Sequence, residues 1–306
     1  MRVMITGGSG TIGTALTRRL LADGHEVLVL SRKPEKYSLP AGAQGVKWDG
    51  KTADHWHTYI NDNTAIINLA GASIAGEGFI PSRWTAERKR AIRQSRLDVG
   101  QAVVAGIEAA AHKPKVLIQA SAVGYYGPSG AEVLTESAPP GNDFLADVCV
   151  AWEATTAPVE AMGVRRVIIR TGLVLTLEDG PLPIVVLQYK LFAGGKLGNG
   201  RQWWPWIHLD DEVKAIAFLL ENESAQGVYN LTAPNPLTNN DFGKVVGQVL
   251  GRPHFIPAPA FALKLLLGEI ATLVLDGQRA IPQRLQEAGF SFKYTEAKAA
   301  LTDLLK

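Results

Sequence analysis

Near its beginning the chain reads Val3-Met4-Ile5-Thr6-Gly7-Gly8-Ser9-Gly10-Thr11-Ile12-Gly13. The apolar run before Gly7 predicts a short buried strand. Apolar residues at helical spacing from Ala15 to Leu21 predict a helix that ends at Gly24. A second strand is predicted over residues 25–32. This order of strand, glycine turn, helix and strand is the context in which a dinucleotide-binding fingerprint occurs.

The glycine turn is predicted to bind the pyrophosphate of a dinucleotide. Glycine lets the backbone turn tightly and approach a ligand, and the helix N-terminus supplies N–H groups and the positive end of the helix dipole. A purely structural turn is the alternative, which the surrounding pattern disfavours. The predicted cofactor contacts in this turn are Gly7, Ser9, Gly10, Thr11, Ile12 and Gly13.

The end of the second strand predicts which dinucleotide binds. An NAD site usually carries Asp or Glu there, to bind the ribose 2′-OH, whereas this chain carries Ser31, Arg32 and Lys33. A hydroxyl and two cations suit a 2′-phosphate, which a carboxylate would repel. We therefore predict NADP(H), with Ser31 and Arg32 as contacts; a solvated basic turn is the alternative.

Two further segments are predicted to reach the cofactor. The strand over residues 65–71 ends in Leu69-Ala70-Gly71, whose small residues allow close approach, although a core strand can also end this way. In the helix predicted over residues 81–111, Arg96 falls on the apolar stripe. A charge on that face needs a partner. A cofactor or substrate phosphate would serve, and so would a carboxylate elsewhere in the chain.

Composition excludes several classes of protein. The chain has 306 residues, 46% of them hydrophobic, and a formal charge of +2, which gives no case for nucleic acid or an acidic membrane as partner. One cysteine, Cys149, permits no intramolecular disulfide, and six histidines without close ligand spacing predict no metal site. Without a recognisable signal peptide, we predict a cytoplasmic protein.

The glycine turn Thr6-Gly7-Gly8-Ser9-Gly10-Thr11-Ile12-Gly13 and the strand end Asn68-Leu69-Ala70-Gly71 together resemble the extended and atypical short-chain dehydrogenase/reductases, the epimerase-like group. Later segments resemble one atypical subgroup, the "epimerase family proteins", over essentially the whole chain. The segments that carry this resemblance are Arg83-Trp84, Ser95-Arg96, Ser121-Ala122-Val123-Gly124-Tyr125-Tyr126-Gly127, Gly198-Asn199-Gly200-Arg201-Gln202, Trp206-Ile207-His208-Leu209-Asp210-Asp211, Gly277-Gln278-Arg279 and Glu287-Ala288-Gly289-Phe290.

The resemblance implies an α/β fold: a doubly wound parallel sheet (Rossmann) with a smaller C-terminal substrate-binding part. Residues 1–172 and 207–228 would form the NADP-binding domain. Residues 173–206 and 229–306 would form the smaller substrate or lid domain. Extended members also form dimers, and here the helices of residues 85–111 and 144–162 would supply such an interface.

The resemblance also implies catalytic residues, and these are incomplete. Extended members use a Ser or Thr, a Tyr, and a Lys four residues after the Tyr, with the Tyr as acid/base. Aligned on this chain, the usual catalytic serine falls on Ala122, next to Ser121. The Tyr falls near Leu145 and the Lys near Cys149. The acid/base pair is therefore missing from its usual place.

Other side chains are candidates for the missing chemistry. Tyr125 and Tyr126 follow a predicted strand at its carboxyl end, where ligands bind in such sheets, and either would donate a proton or line the site without chemistry. Ser121 is a candidate hydrogen-bond partner of nicotinamide or substrate. Cys149 has apolar neighbours and no adjacent cation, so a structural thiol is favoured over a nucleophile.

A tryptophan-rich loop is the predicted substrate contact. Trp204 and Trp206 would form a stacking wall or lid over an organic ligand, or would pack between the domains. His208 follows as an acid/base candidate near neutral pH, and the neighbouring Asp210 is interpreted as structural.

Two main functions remain open from sequence. One is an NADP(H)-binding, epimerase-like oxidoreductase acting on a small polar organic substrate, such as a sugar or nucleotide sugar. The other is a non-catalytic NADP(H)-binding sensor or regulatory protein. An interaction scaffold is a third, less favoured, reading.

Overall fold

The structure, a computed structural model, describes residues 1–76, 78 and 81–306. Among these, the strands are β1 (Arg2–Thr6), β2 (Glu26–Ser31), β3 (Gln44–Lys47), β4 (Thr64–Asn68), β5 (Val116–Ala122), β6 (Val133–Leu134), β7 (Arg165–Thr171), β8 (Leu173–Leu175), β9 (Trp203–Trp204), β10 (Trp206–His208), β11 (Gly227–Leu231), β12 (Leu237–Thr238) and β13 (Arg279–Ala280). The helices are α1 (Thr11–Ala22), α2 (Ala86–Ala109), α3 (Phe144–Thr155), α4 (Leu182–Lys190), α5 (Leu209–Glu221), α6 (Asn239–Leu250), α7 (Ala260–Leu267), α8 (Thr272–Leu275), α9 (Gln283–Glu287) and α10 (Ala297–Leu305).

Seven parallel strands form the central sheet, in the order β11-β7-β5-β4-β1-β2-β3. Its central strands are nearly continuous apolar runs because both faces are covered, as parallel sheets require. From β1 the strand order runs through β2 to β3 at one edge, and from β4 it runs through β5 and β7 to β11 at the other. The change of direction between β1 and β4 creates a crevice at the carboxyl ends of these two strands. The predicted doubly wound parallel sheet is confirmed.

Helices cover both faces of the sheet. On one face α1 and α5 pack together, and Leu16 and Leu20 of α1 are fully buried against the strands. On the other face α2 contributes Val103 and Ile107 to a second core, and it also packs against α3. Among the described residues, none of the helices combines the length and apolar character that a bilayer span needs.

The smaller part is built around its own core. This core joins segments that are far apart in sequence, since Tyr189 of α4 and Phe242 of α6 pack with Leu301 of α10. The short pairs β8–β10 and β9–β12 lie at its base. The predicted domain boundaries remain a prediction: β11, in the central sheet, runs to Leu231 and so crosses the expected 228/229 boundary.

Side chains cover the outer edge of β11, which would otherwise expose unpaired backbone groups. The Glu136 carboxylate accepts hydrogen bonds from the backbone N–H groups of Asn230 (3.0 Å) and Arg284 (3.2 Å). The Arg284 guanidinium donates to the carbonyls of Val228 (2.7 Å) and Gln226 (2.9 Å). Strand β13 pairs with β6 beside this cluster, so the C-terminal segment closes the sheet edge.

The long helix α2 is shorter than predicted at its N-terminus. It begins at Ala86, where the Thr85 hydroxyl caps the helix by accepting from the Arg88 N–H. The predicted stripe is buried as expected, including Ile92, Val103 and Arg96 itself.

Candidate functional site

The turn between β1 and α1 has the geometry of a dinucleotide-binding loop. Gly7 has a φ of +70°, which a side chain would strain, and a Cβ there would lie 3.0 Å from the backbone of Leu69 and Ala70. A Cβ on Gly13 would lie 2.5 Å from the Gly7 carbonyl oxygen, so only glycine lets α1 pack this closely on the turn. The turn therefore brings the N-terminus of α1 to the crevice.

The first turn of α1 suits an anion. Gly10 is the N-cap residue and has no side chain to satisfy the free N–H groups, and the first turn carries no acidic residue. The N–H groups of Thr11 and Ile12 are therefore available to a pyrophosphate. Ser31 and Arg32 lie at the carboxyl end of β2, the neighbour of β1, and Arg32 is exposed to solvent.

A row of buried polar side chains holds the ends of the three central strands in register. The Thr6 hydroxyl donates to the Asn68 Oδ1 at 2.5 Å, and the Asn68 amide donates to the Gln119 Oε1 at 2.8 Å. Thr6 also accepts from the Ala70 N–H at 3.2 Å, which fixes the path of the chain after β4. This row positions Leu69 and Ala70 against the glycine turn.

A cleft of about 320 Å³ opens at the carboxyl ends of β5 and β7, between the sheet and the smaller part. Most of its lining side chains are apolar. They include Ile74, Leu145, Val148, Leu173, Trp203, Trp204, Leu273 and Val274. The polar lining residues are fewer: Arg96, Asp143, Cys149, Thr171, Thr272, Asp276 and Gln278. Such a cleft suits a small organic ligand.

Arg96 is the cation that faces this cleft. It is only 7% exposed, and its Nη1 donates to the carbonyls of Ile92 (2.9 Å) and Ala72 (3.1 Å). Its guanidinium lies 4.9 Å from the Trp152 ring centroid and packs against the backbone of Gly71. Within residues 1–76, 78 and 81–306 it makes no ion pair, so of the two partners expected from sequence, a ligand anion fits better than a carboxylate of the described chain.

Behind the cleft lies a buried ion-pair network that the sequence did not predict. Arg170 and Glu153 form a bidentate pair with distances of 2.8 and 2.9 Å, and the Ser121 hydroxyl donates to Glu153 at 2.6 Å. The Tyr126 hydroxyl accepts from Arg170 at 3.1 Å and donates to Asn230 at 2.7 Å. Arg170, which directly follows the apolar run Val167-Ile168-Ile169 of β7, was the available signal, because a buried charge requires a partner.

The two tyrosines face Arg170. The Arg170 guanidinium stacks 3.3 Å from the Tyr125 ring centroid, and burial raises the pKa of Tyr126. Neither ring belongs to the described lining of the cleft. Ser121, also buried, is bound to Glu153. The assignment of Ser121, Tyr125 and Tyr126 as catalytic residues remains a prediction, and their hydrogen bonds give it no support.

Comparison with known proteins identifies the family to which the chain belongs. Residues 3–232 match the model of the NAD dependent epimerase/dehydratase family, and residues 258–304 match a domain of unknown function, DUF1731. The chain belongs to the NAD dependent epimerase/dehydratase family. This confirms the resemblance seen in the sequence and supports a nicotinamide cofactor.

Individual members of this family are similar along the whole chain. The Arabidopsis thaliana "epimerase family protein SDR39U1 homolog, chloroplastic" is 42% identical over 100% of this chain and 87% of its own length. A crystal structure of human epimerase family protein SDR39U1 with NADPH is 33% identical, covers 99% of both chains and has a TM-score of 0.88. A nucleoside-diphosphate sugar epimerase from Corynebacterium glutamicum is 33% identical, with a TM-score of 0.78 over 100% of this chain and 58% of that chain.

In this epimerase/dehydratase chain, the positions expected to carry the Tyr and Lys lie on the cleft. Leu145 and Cys149 of α3 both line it. Burial, together with the nearby Glu153, raises the pKa of the Cys149 thiol to about 11. The thiol is therefore protonated at neutral pH and is a poor nucleophile. The predicted structural role of Cys149 agrees with this environment.

Two of the predicted substrate contacts lie away from the cleft of this epimerase-family protein. Trp206 is fully buried and its Nε1 donates to the Asn235 carbonyl at 3.1 Å. His208 caps α5 by accepting from the Asp210 N–H, and burial lowers its pKa. Trp204 does line the cleft, beside Trp203. Local sequence could not separate Trp204 from Trp206, because residues two apart on one regular strand would share a face. Here Pro205 separates β9 from β10, and the two strands pair with different partners.

Proposed function

We propose that this chain is an NADP(H)-dependent oxidoreductase that acts on a small organic carbonyl compound or the corresponding alcohol. The observation that carries the proposal is the close packing of the glycine turn. A Cβ at Gly7 would meet the backbone of Leu69 and Ala70, and a Cβ at Gly13 would meet the backbone of the turn itself. A close backbone approach of this kind is what a bound pyrophosphate requires. The cleft lies at the same edge of the sheet.

The cofactor would be held by residues of this chain that fit it. Thr11 and Ile12 would donate backbone N–H groups to the pyrophosphate of the cofactor. Arg96 would face either this pyrophosphate or the nicotinamide end of the cofactor. Ser31 and Arg32 would hold a 2′-phosphate, since a hydroxyl and a guanidinium are good donors to phosphate. The bound cofactor supplies or accepts a hydride. The human relative with NADPH bound supports the choice of NADP(H).

The lining of the cleft favours as substrate a compact molecule with one flat or apolar face. Trp203 and Trp204 offer a stacking surface, and Arg96 offers a single cation. A sugar remains in this class, because the face of a sugar ring is also largely apolar. A whole nucleotide sugar fits less well, because few polar side chains line the cleft to replace its hydration.

Titration of thermal stability with cofactors tests the first half of the proposal. NADPH and NADP+ should raise the Tm strongly, and NADH and NAD+ should raise it less. Arg32→Glu should remove this preference, whereas Arg18→Glu, an exposed change on α1, should keep it. Equal shifts with both cofactors would refute the assignment of Ser31 and Arg32, and no shift with either would refute the cofactor site.

A substrate screen tests the second half. NADPH absorbance would be followed with aldehydes, ketones, keto-sugars and nucleotide sugars. Turnover of a compact carbonyl compound supports the oxidoreductase. Strong NADPH binding without turnover of any compound favours the second function, a non-catalytic sensor. That alternative is motivated by Leu145 and Cys149, which occupy the positions of the acid/base pair.

A further inference from the structure

One hydroxyl on the cleft is connected to a buried carboxyl group. Thr171 ends β7 and is one of the residues that line the cleft, and its hydroxyl donates a hydrogen bond of 2.7 Å to the Oε1 of Glu212. Glu212 is in the first turn of α5 and is fully buried. Its Oε2 is also buried and has no hydrogen-bond partner among the described residues. The hydroxyl is thus the link between this carboxyl group and the cleft.

The surroundings of Glu212 keep its carboxyl group protonated near neutral pH. Burial raises its pKa to about 8, and the hydrogen bond with Thr171 offsets only part of this effect. The charged neighbours are occupied elsewhere. Arg170, next to Thr171 on β7, is paired with Glu153. On α5, Asp210 pairs with Lys293, and Asp211 accepts from the backbone N–H groups of residues 293 and 294.

The remaining elements around Glu212 bring little charge. Helix α1 faces α5 with apolar side chains such as Leu16 and Leu20. His208, at the end of β10, stacks on Tyr294, and its Nε2 lies 3.5 Å from Asp303. Burial lowers the pKa of His208, so this ring is neutral near pH 7. No cation of the described chain therefore holds Glu212 in the ionised form.

We propose that Thr171 and Glu212 form a proton relay that opens on the cleft and supplies the proton of the reaction, in place of the missing Tyr–Lys pair. This inference rests on the proposed oxidoreductase function. Thr171 would touch the reacting oxygen, and Glu212 would act through it. General acid catalysis works best when the pKa of the acid lies near the working pH.

The proton balance of a reduction is complete with these two residues. If a bound cofactor supplies a hydride to the carbonyl carbon, the C=O π bond would break and its electron pair would go to oxygen. The Thr171 hydroxyl, which donates to the Glu212 Oε1 in this structure, would turn to give its proton to this oxygen and would accept the proton of the Glu212 carboxyl group. Glu212 is left as a carboxylate and regains a proton from water through the same hydroxyl after the product leaves. Oxidation of an alcohol runs the same transfers in reverse.

Infrared spectroscopy tests the relay without any turnover. The wild-type protein at pH 7 should show a C=O stretching band of a protonated carboxyl group that is missing in Glu212→Gln. On transfer to D₂O this band should shift quickly in the wild type and in Thr171→Ser. In Thr171→Val, which keeps the shape but removes the hydroxyl, the shift should be slower by about 10-fold or more.

Each other outcome overturns the relay. If the acid band is absent at pH 7, or persists in Glu212→Gln, Glu212 is not the proton store. If Thr171→Val exchanges at the wild-type rate, the hydroxyl is not the path. A circular dichroism spectrum and Tm for each variant confirm that it is folded before exchange is compared.

Kinetics test the chemical role with a carbonyl compound that passes the screen above. Glu212→Gln and Thr171→Val should lower kcat by about 100-fold, the usual contribution of a general acid, with unchanged affinity for NADPH. Thr171→Ser should keep most of the activity. Reduction by the wild type should weaken as the pH rises through about 8, as Glu212 loses its proton, and Glu212→Gln should lose this dependence.

The two failures are distinguishable. Unchanged kcat and pH profile in Glu212→Gln would overturn the relay while the oxidoreductase stands. A protein that binds NADPH and turns over no compound would fail as an oxidoreductase, and a relay that rests on that function would fall with it, whatever the exchange rates are.

Discussion

The glycine turn after β1 and the start of α3 face the same crevice, but different parts of the chain specify them. The turn depends on backbone: Gly7 and Gly13 are needed because a Cβ would meet other backbone atoms. The start of α3 depends on side chains, and there Leu145 and Cys149 present no acid or base of suitable pKa. The cofactor loop and the catalytic side chains of this fold are therefore specified by separate features of the sequence.

The largest expected effect on cofactor binding comes from filling the turn. Gly13→Ala places a Cβ 2.5 Å from the Gly7 oxygen and the Gly8 Cα, so the helix must move away from the turn. We expect NADPH binding to be lost and the free energy of unfolding to fall by about 1–3 kcal/mol. Calorimetric titration and urea unfolding measure the two effects. Gly10→Ala, with a φ of −79° and its nearest contact at 3.4 Å, should keep the wild-type stability.

The next effect concerns stability on the α3 side. Glu153→Gln leaves the buried Arg170 uncompensated, which should lower the free energy of unfolding by about 3–5 kcal/mol. Glu160→Gln breaks the exposed pair with Arg166 and should cost less than about 1 kcal/mol. Both are measured by urea unfolding. Similar losses in the two variants would show that the buried network contributes no more than a surface pair.

Arg96 lies between the segment that packs on the glycine turn and helix α3, since it contacts Gly71 and Trp152. Its replacement should affect cofactor binding more than the free energy of unfolding. In Arg96→Met the apolar stem is kept while the charged donors are lost, which costs about 1.5–3 kcal/mol for a bound anion. We expect NADPH affinity to fall by about 10- to 100-fold in a calorimetric titration. Arg93→Met, on the exposed face of α2, is the control. Wild-type affinity in Arg96→Met would exclude Arg96 from the cofactor site.

The smallest effect is expected at Cys149. Because its pKa is raised to about 11, the thiolate fraction at pH 7 is about one in 10⁴, and iodoacetamide should label the folded protein very slowly. The same chain in urea should be labelled at the rate of an ordinary thiol. Cys149→Ala should bind NADPH within about twofold of the wild type. Rapid labelling of the folded protein would instead reveal an activated cysteine.

The features that the sequence predicted are those that short-range patterns of residues control. The strand–turn–helix order and the burial of Arg96 followed from the spacing of apolar residues and the glycines of the turn. The Glu153–Arg170 pair and the Glu212–Thr171 contact join residues 17 and 41 positions apart. Such contacts depend on the register of strands and helices in three dimensions. The separation of Trp204 from Trp206 likewise depends on a chain path that local pattern does not give.

The cover of the β11 edge has a consequence for synthesis of the chain. Arg284 and β13 come later in the chain than every strand of the central sheet, yet they complete its edge. Until those residues leave the ribosome, β11 presents an open edge that other chains can extend by strand addition. Any form of the chain that lacks Arg284 and β13 would therefore expose this edge to strand addition. A chain that stops before residue 279 would retain the glycine turn and still aggregate.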